Sequence, residues 1–127
     1  MLDGIWIPQG AEFGGQTLPM PDTRWEIVGN RYVIQEEEGR DEGELVIDLD
    51  RTPHALDLVG KTGPNSGKTI VAIFRMRGDL LQLCYDVSGA SRRPQTFETA
   101  PNSMQLMVRY RRISEWALNQ QEAYLIL

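Results

Sequence analysis

Three features of the chain hold residue types that can do chemistry. The first, GPNSGKT at residues 63–69, has most of the letters of a phosphate-binding loop. Such a loop requires Gly, four residues and then Gly-Lys-Ser/Thr, set between a strand and a helix whose N-terminus faces the phosphate. Here only Pro64, Asn65 and Ser66 separate Gly63 from Gly67, and the β-branched run Ile70-Val71-Ala72-Ile73-Phe74 continues as a strand. The expectation is a polar hairpin loop that binds no nucleotide. The second feature, DLDRT at 48–52, matches the Asp-x-Asp-x-Thr pattern of phosphatases with an aspartyl nucleophile. That chemistry needs a parallel α/β sheet, and the alternating helices are missing. On an antiparallel strand Asp48 and Asp50 share one face, most simply the solvated one.

The third feature is the pair of lone residues Cys84 and His54. Cys84 sits in the apolar run LLQLCY and reads as a small buried hydrophobe in a reducing compartment. One histidine beside Pro53 gives little support to a metal site or a Cys–His dyad. The acidic run Glu36–Glu44 lacks the spacing of a calcium loop and reads as a solvated hairpin tip. No catalytic, cofactor-binding or metal-binding residues are therefore expected, and the protein reads as a non-enzyme.

The elements that would carry these residues are short. The 127 residues, 41% hydrophobic and 24% charged, suffice for one globular domain. A formal charge of −5 disfavours nucleic acid as a partner. The arginine clusters Arg92–Arg93 and Arg109, Arg111 and Arg112 are expected to balance neighbouring acids. With no apolar run of spanning length and no leader pattern, the expectation is a cytoplasmic protein without membrane contact.

Apolar alternation broken by turn residues points to about nine strands. They cover 4–13, 24–28, 31–37, 44–50, 54–60, 68–77, 79–87, 95–99 and 103–112. Residues 14–23 read as a loop, and Gly29–Asn30 as a hairpin turn. Pro8 should bend the first strand or hold it at an edge. This is the signature of an all-β protein, a sandwich or a barrel.

Several motifs then resemble a lipocalin-like domain family of unassigned function, widespread in planctomycetes and related bacteria. They are Leu2-x-Gly4-x-Trp6, the Ala11–Pro19 segment AEFGGQTLP, and Pro53-His54-Ala55-Leu56-Asp57-Leu58. Gly63-Pro64 with Gly67-Lys68-Thr69, Gly78–Tyr85 (GDLLQLCY) and Arg93-Pro94-x-x-Phe97 extend the similarity across residues 2–112. The resemblance implies an antiparallel up-and-down, calycin-like β-barrel over residues 1–112. It also implies that Trp6 plugs one end, with Arg109 or Arg111 lying across its ring.

Residues 113–127 form an extension. Ser114 can cap a short helix over 115–123, and the end AYLIL is apolar. Trp116, Tyr124, Leu125 and Leu127 are expected to pack on the barrel or to meet a protein partner. The expected core comprises Trp6, Ile27, Val33, Leu58, Ile73, Leu81, Leu83, Phe97, Leu106 and Val108. The barrel is expected to hold a small apolar ligand, for which a cavity of ~300 Å³ or more would argue and against which an interior packed with the protein's own Trp, Phe, Leu and Met side chains would count. The alternative is a protein-interaction module, such as a subunit, inhibitor or immunity-type partner in a cytoplasmic complex.

Overall fold

A pleated strand sends successive side chains to opposite faces, so each alternating run can bury one face and wet the other. The computed structural model describes residues 1–20, 22–37 and 39–114. It contains β1 (Gly4–Phe13), β2 (Gln16–Leu18), β3 (Thr23–Val28), β4 (Arg31–Glu36), β5 (Gly39–Asp48), β6 (His54–Thr62), β7 (Thr69–Arg77), β8 (Leu80–Asp86) and β9 (Gln105–Ile113). The strand order is β2-β1-β3-β4-β5-β6-β7-β8-β9, and β9 returns to pair with β1. Ile5 to Phe13 lie antiparallel to Leu106 to Ile113. This last ladder closes eight strands into an up-and-down barrel, with β2 as a short flap. Closure leaves the principal strands no long free edge.

β1 has two neighbours on its other side. Gly4–Trp6 pair with β3, and Ala11–Phe13 pair with β2. Pro8 falls in the gap between those ladders, beside a bulge that shifts the β1–β9 register between Pro8 and Gly10. A residue without an N–H is tolerated at such a position, and the bulge bends the strand.

Three sequence expectations are corrected here. Residues 14–23 contain β2, because Gly14 (φ 54°) and Gly15 (φ 83°) turn the chain tightly enough to form a hairpin. Residues 95–99 form no strand; they belong to a strap that crosses the outside of the barrel and is held by side chains. The acidic run is mostly strand, with Arg40, Asp41, Glu42 and Glu44 opposite Gln35, Ile34, Val33 and Arg31. Alternation resolves its like charges: Asp41 is buried, while Glu42 faces outward and pairs with Arg40 at 2.7 Å.

The barrel interior is the main core. Trp6, Trp25, Ile27, Tyr32, Leu45, Leu56, Leu58, Phe74, Leu81, Leu83, Val108 and Tyr110 are all buried in it. Fully burying each aliphatic or aromatic side chain contributes roughly 1.5–3 kcal/mol. Val33 is not among them, because Tyr32 and Ile34 take the inward positions of β4 and leave Val33 on the outer face. Ile73 and Phe97 do lie in apolar surroundings, but outside the wall, with Cys84 and Met107. The strap closes over this second cluster. Arg93 fixes it, donating to the Ala72 carbonyl at 2.8 Å and pairing with Asp57 at 2.7 Å. The expected helix at 115–123, with Trp116, Tyr124, Leu125 and Leu127, lies outside the described residues.

Candidate binding site at the barrel mouth

The two ends of the barrel are built differently. At one end Trp6 is fully buried and its Nε1–H donates to the Leu2 carbonyl at 2.8 Å. The guanidinium of Arg112 lies 4.7 Å from its ring centroid. The cation is thus Arg112, which corrects the expectation of Arg109 or Arg111. The reason is strand parity: Val108, Tyr110 and Arg112 point to the barrel axis, whereas Arg109 and Arg111 are exposed on the outer face. Arg112 also donates to the Asp3 carbonyl at 2.9 Å and to the Asp79 carboxylate at 3.0 Å. This end is sealed.

The other end is a mouth. The hairpin loop between β6 and β7 folds inward across it, because Asp41 on β5 accepts two hydrogen bonds from Asn65. The backbone N–H of Asn65 reaches Asp41 Oδ1 at 3.0 Å, and the side-chain Nδ2 reaches Oδ2 at 3.1 Å. Gly63 takes φ +91°, and a Cβ there would lie 2.3 Å from the Arg40 carbonyl. Only glycine fits this crossing. Three further N–H groups of the loop are also spent: Ser66 N–H on Gly63 O, Gly67 N–H on Gly60 O, and Lys68 N–H on Asn65 O. A phosphate-binding loop needs those N–H groups converging on an anion. Here they point into the loop itself, and the Asp41 carboxylate already stands beside Asn65.

Beneath the loop, alternate residues of the strands line a partly open cavity of ≈ 180 Å³. Trp25, Tyr85, Tyr110, Leu58 and Val108 contribute to its walls, with Glu36, Asp41 and Asn65 on the polar side. Trp25 stacks with Tyr32 at 6.1 Å between centroids and meets Tyr110 at 5.5 Å, forming an aromatic cluster at one side of the lumen. Burial pushes the Tyr85 phenol up to about 12, helped by the nearby Glu36 charge. The Tyr110 phenol is likewise raised well above its ordinary value, by burial first and then by Tyr85. Both phenols therefore stay protonated and can donate hydrogen bonds. A groove of ≈ 660 Å³ outside the cavity shares Asn65, Ile70 and Tyr85 with it and includes Lys68 and Asp86.

The remaining reactive side chains are kept apart. Cys84 is fully buried on the outer side of the wall, and burial lifts its thiol to about 11. His54 is exposed at the start of β6, its Nδ1 3.2 Å from the Arg51 carbonyl oxygen and its ring 5.7 Å from that of Phe74. Asp48 and Asp50 are both exposed, with the Asp50 N–H donating to Asp48 Oδ1 at 3.0 Å. Among the described residues, no group of three or more His, Cys, Asp or Glu is placed to hold a metal.

Sequence reasoning missed Trp25, Tyr85, Tyr110, Asp41 and Glu36 as a set. The available signal was parity: each lies on the inward row of its own strand, but only the register brings the rows together. These features define an eight-stranded, closed up-and-down barrel with one sealed end and one aromatic, loop-covered mouth. Comparison with protein-family models, with curated proteins and with solved structures gave no match.

Proposed function

We propose that this protein is a non-enzymatic, lipocalin-like binding module that holds a small ligand in the mouth of its barrel. The carrying observation is the 180 Å³ cavity between Trp25, Tyr85 and Tyr110 under the Asn65 loop. Drug-sized ligands occupy pockets of roughly 300–1,000 Å³, so this cavity suits a smaller molecule or one end of a larger one. The aromatic walls take an apolar or flat group, while Glu36 and the two phenols supply acceptor and donors at its margin. The segregation of Cys84 from His54 by the barrel wall supports a binding role over nucleophilic catalysis.

The test is thermal melting with a panel of small aromatic and aliphatic compounds, combined with tryptophan fluorescence. A ligand at a hundred times its dissociation constant adds ~2.7 kcal/mol of stability. At least one compound should raise the melting temperature and quench Trp25. Ile70→Trp, which places a large ring in the cavity wall, should abolish both effects. Either a silent panel or binding unchanged by Ile70→Trp would refute the reading.

A further inference from the structure

The register of β7, β8 and β9 builds three cross-strand rows on the outer face of the barrel. The first is Ile73–Cys84–Met107, sealed by Phe97. The second is Arg75–Gln82–Arg109, and the third Arg77–Leu80–Arg111. Four arginines thus stand as a rectangle. Strand geometry sets its sides at roughly 7 Å along each strand and roughly 10 Å across the two strand spacings. This occurs in a chain of net charge −5.

Arginine clusters ordinarily balance nearby acids, and other arginines of this protein do: Arg24 pairs with Glu26, Arg40 with Glu42, Arg93 with Asp57 and Arg112 with Asp79. Among the described residues, none of the four arginines in the rectangle forms an ion pair with a carboxylate. Glu12 and Glu98 border the Arg75–Arg109 row. Among the described residues, no carboxylate lines the groove around Arg77 and Arg111.

Half of the rectangle is held in position. The Arg75 guanidinium lies 4.3 Å over the Phe97 ring, and its Nε donates to Gln82 Oε1. Arg109 lies across Gly10, where a Cβ would come within 2.5 Å of its Nη2. Arg77 and Arg111 extend beyond this fixed pair and flank Leu80, which is 47% exposed. Together with Gln9, Gln82 and Arg109 they line a groove of ≈ 500 Å³.

We infer that this face docks an acidic, extended segment of a partner protein. Guanidinium groups recognise carboxylates bidentately. Arg75 and Arg77, like Arg109 and Arg111, repeat at the two-residue interval of a strand. Alternate side chains of an extended peptide repeat at the same interval, so acids two apart match either column. The exposed Leu80 between them takes an apolar side chain. Nucleic acid also carries regularly spaced anions, but the protein's net negative charge opposes its approach, and an apolar centre suits a peptide better. The inference is independent of the ligand-binding mouth.

The experiment is selection of a displayed random-peptide library on the full chain, with selected peptides then measured by fluorescence anisotropy. Enriched peptides should carry Asp or Glu at alternate positions and should weaken with rising salt. The double variant Arg77→Glu/Arg111→Glu should lose about tenfold or more in affinity with an unchanged melt. If that variant melts early, Arg77→Gln/Arg111→Gln serves the same comparison. Failure to enrich any peptide, enrichment without alternate acids, or equal affinity for the variants would overturn the inference. Tighter binding of a single-stranded oligonucleotide than of any peptide would do so too. Self-association of the chain abolished by the same variants would reassign the face to a second copy.

Discussion

The Arg112 guanidinium packs 4.7 Å from the Trp6 ring centroid while donating to the carbonyls of Met1 and Asp3 at 3.2 and 2.9 Å. Its Nε also reaches Asp79 in the turn between β7 and β8. One side chain therefore ties the N-terminal segment, a hairpin turn and the central tryptophan into the sealed end. Arg112→Ala should lower stability by ~2–3 kcal/mol, from the cation–π contact and the hydrogen bonds left unmade. Arg111→Ala, on the exposed face, should change it by less than ~0.5 kcal/mol. Urea denaturation of both variants checks this, and equal losses would deny Arg112 its special role.

Trp6 is fully buried and its indole N–H is satisfied by Leu2. Trp6→Ala should cost ~3–5 kcal/mol through the cavity it leaves. Trp6→Phe keeps most of the volume but orphans the Leu2 carbonyl, and should cost ~1–3 kcal/mol. A loss below ~1 kcal/mol for Trp6→Ala would contradict its burial.

Asp41 governs the loop over the mouth. Asp41→Ala removes both acceptors of Asn65 and should destabilise the protein by ~1–3 kcal/mol. Hydrogen exchange localises the effect: the Asn65 amide should exchange much faster in the variant, while amides of β8 and β9 change only with global stability. Uniform acceleration would show that Asp41 supports the barrel rather than the loop.

Alkaline pH should destabilise the fold. Burial raises the Cys84 thiol from 9.0 to about 11 and the Tyr85 phenol from 10.0 to about 12. The folded chain thus keeps protons that the unfolded chain has already released. Stability is fully present below pH 9 and falls as pH rises, through 9–11 for the thiol and 10–12 for the phenol. Each group adds a slope of up to about 1.4 kcal/mol per pH unit within its window. Urea midpoints measured across this range should fall less steeply for Cys84→Ala than for the wild type. Identical slopes would mean that the thiol titrates alike in both states.

ATP or GTP with Mg²⁺ should leave the melting temperature unchanged, because the N–H groups of Ser66, Gly67 and Lys68 are already bonded within the loop. An upward shift that Lys68→Ala removes would show that the loop rearranges to take a phosphate.

Local pattern made much of the wall legible in advance. The period-two alternation of GIWIPQGAEF and TRWEIV, with Gly29–Asn30 and Gly78–Asp79 as turns, is enough to place strands, since each strand's buried face is written in its own residues. The same local logic separated GPNSGKT from a phosphate-binding loop by one missing residue and by the strand that follows. What residues 95–99 do was not legible: QTFET has the alternation of a strand, yet Phe97 is used to cover Ile73, Cys84 and Met107 from outside. Choosing Arg112 over its neighbours for the Trp6 ring required the inward parity of β9. That parity is fixed by its pairing with β1 across more than ninety residues of sequence. The mouth and the arginine rectangle depend on the same long-range register. Trp25, Asp41, Tyr85 and Tyr110 come from four strands, and Arg75, Arg77, Arg109 and Arg111 from two that are separated by β8. Sequence alone determines that alternate side chains of a strand share a face; only the closed sheet, through the hydrogen bonds that align one strand with the next, decides which of the two faces turns inward and which side chains from distant segments meet there.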